Sequence, residues 1–414
     1  MSQFYDALET RSAQEREEQQ FAQLAETINQ AIEQSPYYKE LLADFADLKQ
    51  IDAETLAKLP LTRKSELQKL QQEHPPFGGL ANLSPPKLKR LFASSGPIYE
   101  PQTSGEDGWR FARALYAAGL RSGELLYNCF SYHFTPAGAM AESGAFALDC
   151  AVFPAGIGQT ELQARTIADL RPQAYVGTPS FLKIILDKGD ELGLDLSSLS
   201  KGLVSGEYFP PALRKEYADR GIEVMQCYAT ADLGVIAYET VADQGLIVDE
   251  GVIVEIVRPG TGDLVADGEV GEVVVTCLNS DYPLIRFATG DLSAFITEPS
   301  PCGRTNRRLK GWMGRADQSA KLRALFVYPS QIAQVLARHS EASKGRLVIT
   351  RNDKGLDEAC FQVETSKPSQ EGLGQGLIDS FQKITRLRVD VSLCEPGSLA
   401  NDGIVIDDQR SIDD

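Results

Sequence analysis

The sequence predicts an α/β fold: a large N-terminal α/β domain with a β subdomain, followed by a small α+β C-terminal domain. Three observations carry this expectation. From Glu124 onward, short apolar runs (LLYNCF, CAVFPAG, AYVGTP, GLVSGE, EVMQCYA) alternate with longer amphipathic stretches such as ELQARTIADLR and SFLKIILDKGDELG. Strand runs separated by helical patterns mark a parallel sheet with crossover helices. After Leu246 the apolar period falls to two, in LIVDEGVIVEIV and GEVGEVVVT, with turns at Pro259-Gly260 and Gly262-Asp263, which predicts a hairpin-rich β subdomain. From about Ala316 a last unit begins, mixing helix and strand patterns within one stretch.

In chain order, Phe4, Leu8, Phe21, Leu24, Ile28 and Ile32 recur at helical spacing, and Ser35-Pro36 breaks the pattern. The alternating α/β stretch follows, then the β subdomain over about 245–300. The C-terminal unit should hold a helix near SQIAQVLARH, strands near GRLVIT and CFQVET, a helix near GLIDSFQKITRL and a strand near VDVSL. The expected domains are therefore 1–315 and 316–414.

The chain has 414 residues, 43% of them hydrophobic, enough for a sizeable core. A net charge of −17 argues against nucleic acid or an anionic membrane surface as the partner, since both need a basic footprint. The seven cysteines are scattered without a Cys-x-x-Cys pair, which suits free thiols in a reducing compartment. The opening MSQFYDALETRSAQEREEQQ has no apolar h-region, and no stretch approaches ~18 uninterrupted apolar residues. A cytoplasmic location is expected.

Two segments say most about function. Leu284–Asp291 reads LIRFATGD, and Gly311–Ile332 reads GWMGRADQSAKLRALFVYPSQI. A Thr-Gly-Asp turn followed by Gly-Arg-x-Asp and an amphipathic start resembles the order in adenylate-forming (AMP-dependent synthetase/ligase) enzymes, and in particular their phenylacetate–CoA ligase branch. The resemblance spans about Pro36 to Arg410 and is densest at 175–179, 204–207, 281–291 and 310–332.

This resemblance implies roles for named residues. Asp291 and Arg315 would hold ribose and nucleotide, and Asp317 would be the hinge that makes the small C-terminal domain mobile. Ser205, Gly206 and Glu207, in VSGEYFP, would pack on the adenine at the carboxyl end of a strand, where open α/β sheets bind ligands. The segment QCYATADLG would place Tyr228 at the nucleotide and make Thr230 and Asp232 catalytic. Asp232 would also be the Mg²⁺ ligand, since Mg²⁺ takes one or two carboxylates beside phosphates. Read alone, Asp232 serves equally as a helix cap. Tyr132, His133, Phe134 and Gly138, in YNCFSYHFTPAG, would line an aromatic acyl pocket, although His133 reads equally as a structural histidine.

The departures from the family pattern matter as much. In FASSGPIYEPQ, Ser94, Ser95 and Gly96 match a phosphate loop, whose glycines let backbone N–H groups approach an anion. Tyr99 and Glu100 stand where the family has Gly and Lys, and Glu there repels phosphate, so the loop is expected to be degenerate. Ala324 replaces a glycine at the family's pantetheine tunnel. In NDGIVI, Ile404 stands where a family lysine supports adenylation. Losing one such charge-stabilising donor typically costs ~10²–10³ in rate. Some relatives hold a structural zinc. Here only Cys302-Gly303 of that pattern remains, with Thr240, Ile247 and Ser300 at the other places, so no zinc is expected.

The function implied is an acyl-CoA ligase that activates an aromatic or small carboxylic acid with ATP and passes it to CoA, with adenylation impaired. The alternative is a relative that does not cleave ATP and binds AMP, an acyl-adenylate or an acyl-CoA. ATP/AMP, CoA and Mg²⁺ are the implied cofactors. Many relatives self-associate, so a homodimer is among the expected partners.

Overall fold

The computed structural model describes residues 3–45, 51–81, 88–94, 97–103, 105–316, 320–322, 325–351, 357–370, 372–400 and 402–410. The chain divides into two compact units. One comprises Met1–Val254, Val274–Ala288 and Ile296–Trp312; the other comprises Glu255–Val273, Thr289–Phe295 and Met313–Asp414. The expected division at 315/316 differs from this one, because stretches of the expected β subdomain group with the C-terminal residues.

In the first unit, helix α1 (Ala13–Gln34) starts on a capping box. The Ser12 hydroxyl accepts from Glu15 N, and the Glu15 carboxylate accepts from Ser12 N. Leu24, Ile28 and Ala31 are fully buried, while Phe21 and Ile32 of the expected stripe are only half-buried. Ser35 ends α1 and caps α2 (Pro36–Leu41) through its hydroxyl, so the Ser-Pro break is a joint between two helices. Helix α3 (Ala53–Lys58) and strand β1 (Thr62–Arg63) lead into α4 (Lys64–Glu73). Strands β2 (Leu91–Ser94) and β3 (Ile98–Pro101) pair antiparallel.

The central sheet follows as α5 (Phe111–Ala117), β4 (Leu125–Asn128), α6 (Ala137–Ala147), β5 (Ala151–Phe153), α7 (Thr160–Leu170), β6 (Ala174–Gly177), α8 (Pro179–Leu192), β7 (Lys201–Val204), α9 (Pro211–Asp219) and β8 (Glu223–Thr230). The five strands lie parallel in the order β5–β4–β6–β7–β8, at the places the apolar runs predict. Neighbouring residues of each strand serve opposite faces. Leu126, Val176, Leu203 and Met225 pack with α5 and α6. Tyr127, Tyr175, Val204 and Val224 pack with α7, α8 and α9. With both faces covered, every strand position can be apolar, which is why these strands read as continuous runs.

Strand β9 (Gly234–Glu239) returns antiparallel beside β8, and β10 (Leu246–Val248) pairs with β9. The four-stranded sheet runs β1–β13–β12–β11, with β11 (Val252–Val257), β12 (Gly271–Cys277) and β13 (Phe287–Ser293). Its residues fall in both units. The stretch LIVDEGVIVEIV therefore does not form one hairpin: β10 joins the central sheet and β11 the other. Every residue of β12 and β13 is buried, so the period-two pattern of β12 does not separate an inner from an outer face. Strands β14 (Phe295–Ile296) and β15 (Arg308–Leu309) complete a nine-stranded sheet in the order β14–β15–β10–β9–β8–β7–β6–β4–β5.

In the second unit, β16 (Ala320–Leu322) pairs antiparallel with β17 (Leu325–Val327). Helix α10 (Pro329–Leu336), β18 (Ala342–Arg351), β19 (Asp357–Thr365), α11 (Leu373–Thr385), β20 (Asp390–Cys394) and β21 (Ile406–Asp408) follow. The sheet order is β20–β19–β18–β21. Val335, Leu347, Phe361, Leu377, Phe381 and Ile406 close its core. The two helices and three strands expected here are all present.

Candidate functional site

The carboxyl edge of the parallel strands is where this fold can build a site. The connection leaving β4 runs outward to β5, while the one leaving β6 runs the opposite way to β7. The carboxyl ends of β4 and β6 thus flank the point where the winding reverses, the usual ligand crevice of open α/β sheets.

The turn after β4 carries the aromatic segment. Asn128, fully buried, donates from Nδ2 to Tyr132 Oη and to Gly138 O, both at 2.8 Å, and its Oδ1 accepts from Phe130 N. Tyr132 Oη in turn donates to Glu142 at 3.1 Å. Burial, and then the Glu142 charge, push the Tyr132 phenol well above its ordinary range. The ring lies on Gly138, where a Cβ would stand 2.8 Å from Tyr132 Cγ. Tyr132 and Gly138 are therefore locked together, whereas His133 and Phe134 are exposed and stack edge-on at 4.7 Å. Asn128 organises this segment, and nothing in the local sequence marks it.

The turns after β6, β7 and β8 are stitched to one another. Ser205 N donates to Gly177 O, and Ser205 Oγ donates to Cys227 O at 2.8 Å. Glu207, exposed, accepts from Ser180 N at the start of α8. Thr230 Oγ1 accepts from Leu233 N and so closes the turn that holds Asp232. Tyr228 sits within β8, half-buried and paired with Ala237. The sequence-predicted residues Ser205, Gly206, Glu207, Thr230 and Asp232 thus share one edge.

Asp232 has an unexpected partner. Lys64 Nζ donates to Asp232 Oδ2 at 2.5 Å, and the Asp232 side chain is fully buried. Glu100, 2% exposed, accepts from Ser94 Oγ at 2.6 Å. Burial, and then the Asp232 charge, raise the Glu100 carboxyl to about 8. Glu100 Oε2 and Asp232 Oδ1 are buried with no donor facing either. A proton on Glu100 satisfies both oxygens, because a protonated carboxyl donates and a carboxylate accepts. This corrects the expectation that Glu100 repels phosphate: the side chain is buried, turned inward from β3, where burial and the Asp232 charge favour its protonated form. Tyr99, its neighbour, is the exposed one.

Mg²⁺ does not fit Asp232 in this arrangement. A magnesium ion keeps several waters in an octahedral shell. Here one carboxylate oxygen is taken by the Lys64 ammonium, and the Asp232 side chain is fully buried, which leaves no room for those waters. No group of three or more His, Cys, Asp or Glu suited to a metal occurs among the described residues.

In the second unit, Asp291 and Arg315 come together. They form an antiparallel bridge, and Arg315 Nη1 donates to Asp291 Oδ1 at 3.0 Å. Thr289 Oγ1 donates to Val273 O and accepts from Asp291 N, and the buried Glu272 accepts from Gly290 N. Gly290 has φ +78, and a Cβ there would lie 2.7 Å from Arg315 Nη2, so glycine serves both the backbone and the arginine. Gly403 likewise has φ +72, with space for a Cβ closed by Val270 at 2.7 Å. Arg346 donates to Ile404 O at 3.0 Å and to Ala400 O at 3.1 Å, and pairs with Asp402. The Ile404 segment is thus anchored through its backbone. Ser95, Gly96, Asp317 and Ala324 lie outside the described residues.

Thr240 and Ser300, two of the positions weighed for zinc, converge on Cys302 Sγ, each hydroxyl at 3.1 Å, with Arg304 Nη1 at 3.5 Å. Burial pushes this thiol up, but the two hydroxyls and the guanidinium bring it down to about 7. One sulfur, two hydroxyls and a guanidinium are not the thiolate and imidazole set that zinc takes.

Comparison with known proteins places these features in a wider group. Residues 127–277 match the family model described as AMP-binding enzyme, and residues 324–410 match AMP-binding enzyme C-terminal domain. The chain is 32% identical over 378 residues to the phenylacetate-coenzyme A ligase of Thermus thermophilus, covering 86% of this chain and 84% of that protein. It is 31% identical to the phenylacetate-coenzyme A ligase of Escherichia coli, covering 88% and 86%. Among solved structures it is similar to an open conformation of 2-hydroxyisobutyryl-CoA ligase in complex with 2-HIB-AMP and CoA, with a TM-score of 0.73 and 25% identity over 96% of this chain and 92% of that one.

Proposed function

The chain belongs to the AMP-binding enzyme family, and we propose that it is an AMP-forming acid–CoA ligase of the phenylacetate type whose acid-activating step is slow. One observation carries the reading. Asp291 and Arg315, whose family counterparts hold ribose and nucleotide, form a bridged pair on a strand end fixed by Thr289 and Glu272. Near-full-length similarity to phenylacetate-coenzyme A ligases supports it. In this reading ATP and the acid yield an acyl-adenylate and pyrophosphate, and the CoA thiol then displaces AMP. Tyr132 and Gly138 shape the acyl side, Ser205–Glu207 and Tyr228 the adenine side, Thr230 and Asp232 the reacting centre, and Asp317 the hinge.

A second reading is favoured by Ile404: a protein that binds AMP, an acyl-adenylate or an acyl-CoA without cleaving ATP. An apolar side chain cannot stabilise the charge that develops during adenylation. The test is to incubate the protein with ATP, Mg²⁺, CoA and a panel of arylacetic, benzoic and short hydroxy acids, and to measure AMP and thioester. Acid-dependent AMP with matching thioester supports the ligase. Thioester formed only from supplied acyl-adenylate supports the second reading.

A further inference from the structure

We propose that Lys64 binds the phosphate of the nucleotide at the carboxyl edge of the first unit's sheet, doing there without a metal what a divalent ion on Asp232 would do. The inference deepens the AMP-binding reading and rests on it.

The argument starts from charge. The turns that form this edge, residues 129–136, 178, 205–210 and 231–233, contain neither lysine nor arginine. An anionic ligand there would meet Glu207 and Asp232, on a chain of net charge −17. A cation must come from elsewhere in the fold, and α4 supplies one. Its first residue is Lys64, and the chain just before it is fixed. Strand β1 lies parallel to β13 with Arg63 opposite Ala288, and Thr62 N donates to Arg286 O at 3.0 Å. The buried Arg286 holds the preceding turn through Ala57 O and Leu59 O.

Lys64 is then the accessible member of an otherwise buried cluster. Its side chain is 29% exposed, against 0% for the Asp232 side chain. An ammonium has three donors, and Asp232 Oδ2 takes one of them. The aspartate keeps that bond while Lys64 offers its remaining donors to a phosphate oxygen. The cluster thus holds a lysine at a fixed height above the sheet without consuming it.

The test is calorimetric binding of AMP and of adenosine in EDTA, for the full chain and for Lys64→Met and Lys64→Arg. The full chain should bind AMP without a divalent ion. Lys64→Met should weaken AMP by ~10-fold or more, the scale of a hydrogen bond to a charged group, yet leave adenosine, which lacks the phosphate, at its original affinity. Lys64→Arg should retain AMP. Unchanged AMP affinity in Lys64→Met overturns the proposal, and so does a parallel loss of adenosine, which marks a structural role. AMP binding by the full chain only when Mg²⁺ is present also overturns it, and leaves the AMP-binding reading standing. No AMP binding under any condition overturns that reading itself.

Discussion

The Lys64 ammonium lies 2.5 Å from Asp232 Oδ2 across 168 residues of chain, and it couples the start of α4 to the end of β8. Removing one partner of a buried pair leaves the other charge uncompensated. Lys64→Met should therefore lower the thermal midpoint, and Asp232→Asn in the same background should recover part of the loss. The coupling should be about 1–3 kcal/mol, below the figure for a fully buried pair because Lys64 keeps some solvent. A double-mutant cycle by thermal or urea denaturation measures it, and a coupling of zero would remove the pair as a structural link.

Glu100 should make stability fall with rising pH. Burial and the Asp232 charge raise its folded carboxyl to about 8, against 4.5 for an exposed glutamate. Between these values the folded state holds a proton that the unfolded state has released. The contribution is complete below about pH 4.5 and is lost as pH rises through about 8. Glu100→Gln keeps a donor toward Asp232 and does not ionise, so its stability curve should be flatter across that window. Parallel curves for the two proteins would mean that Glu100 does not carry the proton.

Ile404→Lys should restore the cation missing from the C-terminal segment. Acid-dependent ATP–pyrophosphate exchange should rise by ~10²-fold or more, while thioester formation from supplied acyl-adenylate stays level. Gly403 and the Arg346 contacts are untouched by the exchange, so the new side chain should start from the same backbone. An unchanged exchange rate would place the defect elsewhere.

Asp291→Ala should weaken adenosine and AMP alike, because the carboxylate is expected to hold ribose hydroxyls rather than phosphate. About 10-fold or more is the expected loss for a charge-assisted hydrogen bond pair. Calorimetry on both ligands separates this from Lys64→Met, which should affect AMP alone.

The parallel sheet was legible in the sequence because its inner strands β4, β6 and β7 are buried on both faces, so LLYNCF, AYVGTP and GLVSGE stand out as unbroken apolar runs. The turns Ser205–Glu207 and Thr289–Asp291 were legible as motifs, since glycine and small polar residues there meet backbone demands that other residues do not. What local sequence could not carry was long-range pairing. Lys64 reads as an ordinary helix residue, Asn128 as the end of a strand, and Glu100 as a charge facing phosphate. Each owes its role to a partner brought in by the fold. The division of LIVDEGVIVEIV between two sheets was hidden for a related reason: period two states that a strand exists, but not which neighbour it chooses.

Arg346 grips the Ile404 segment chiefly by main-chain oxygens, at Ala400 and Ile404 itself, together with Asp402. Main-chain oxygens are common to every amino acid, so this grip is indifferent to which side chain position 404 carries. A lineage could exchange isoleucine and lysine there in either direction without remodelling the loop. The segment is in effect an interchangeable socket, in which a single substitution changes the chemistry and leaves the mounting as it is.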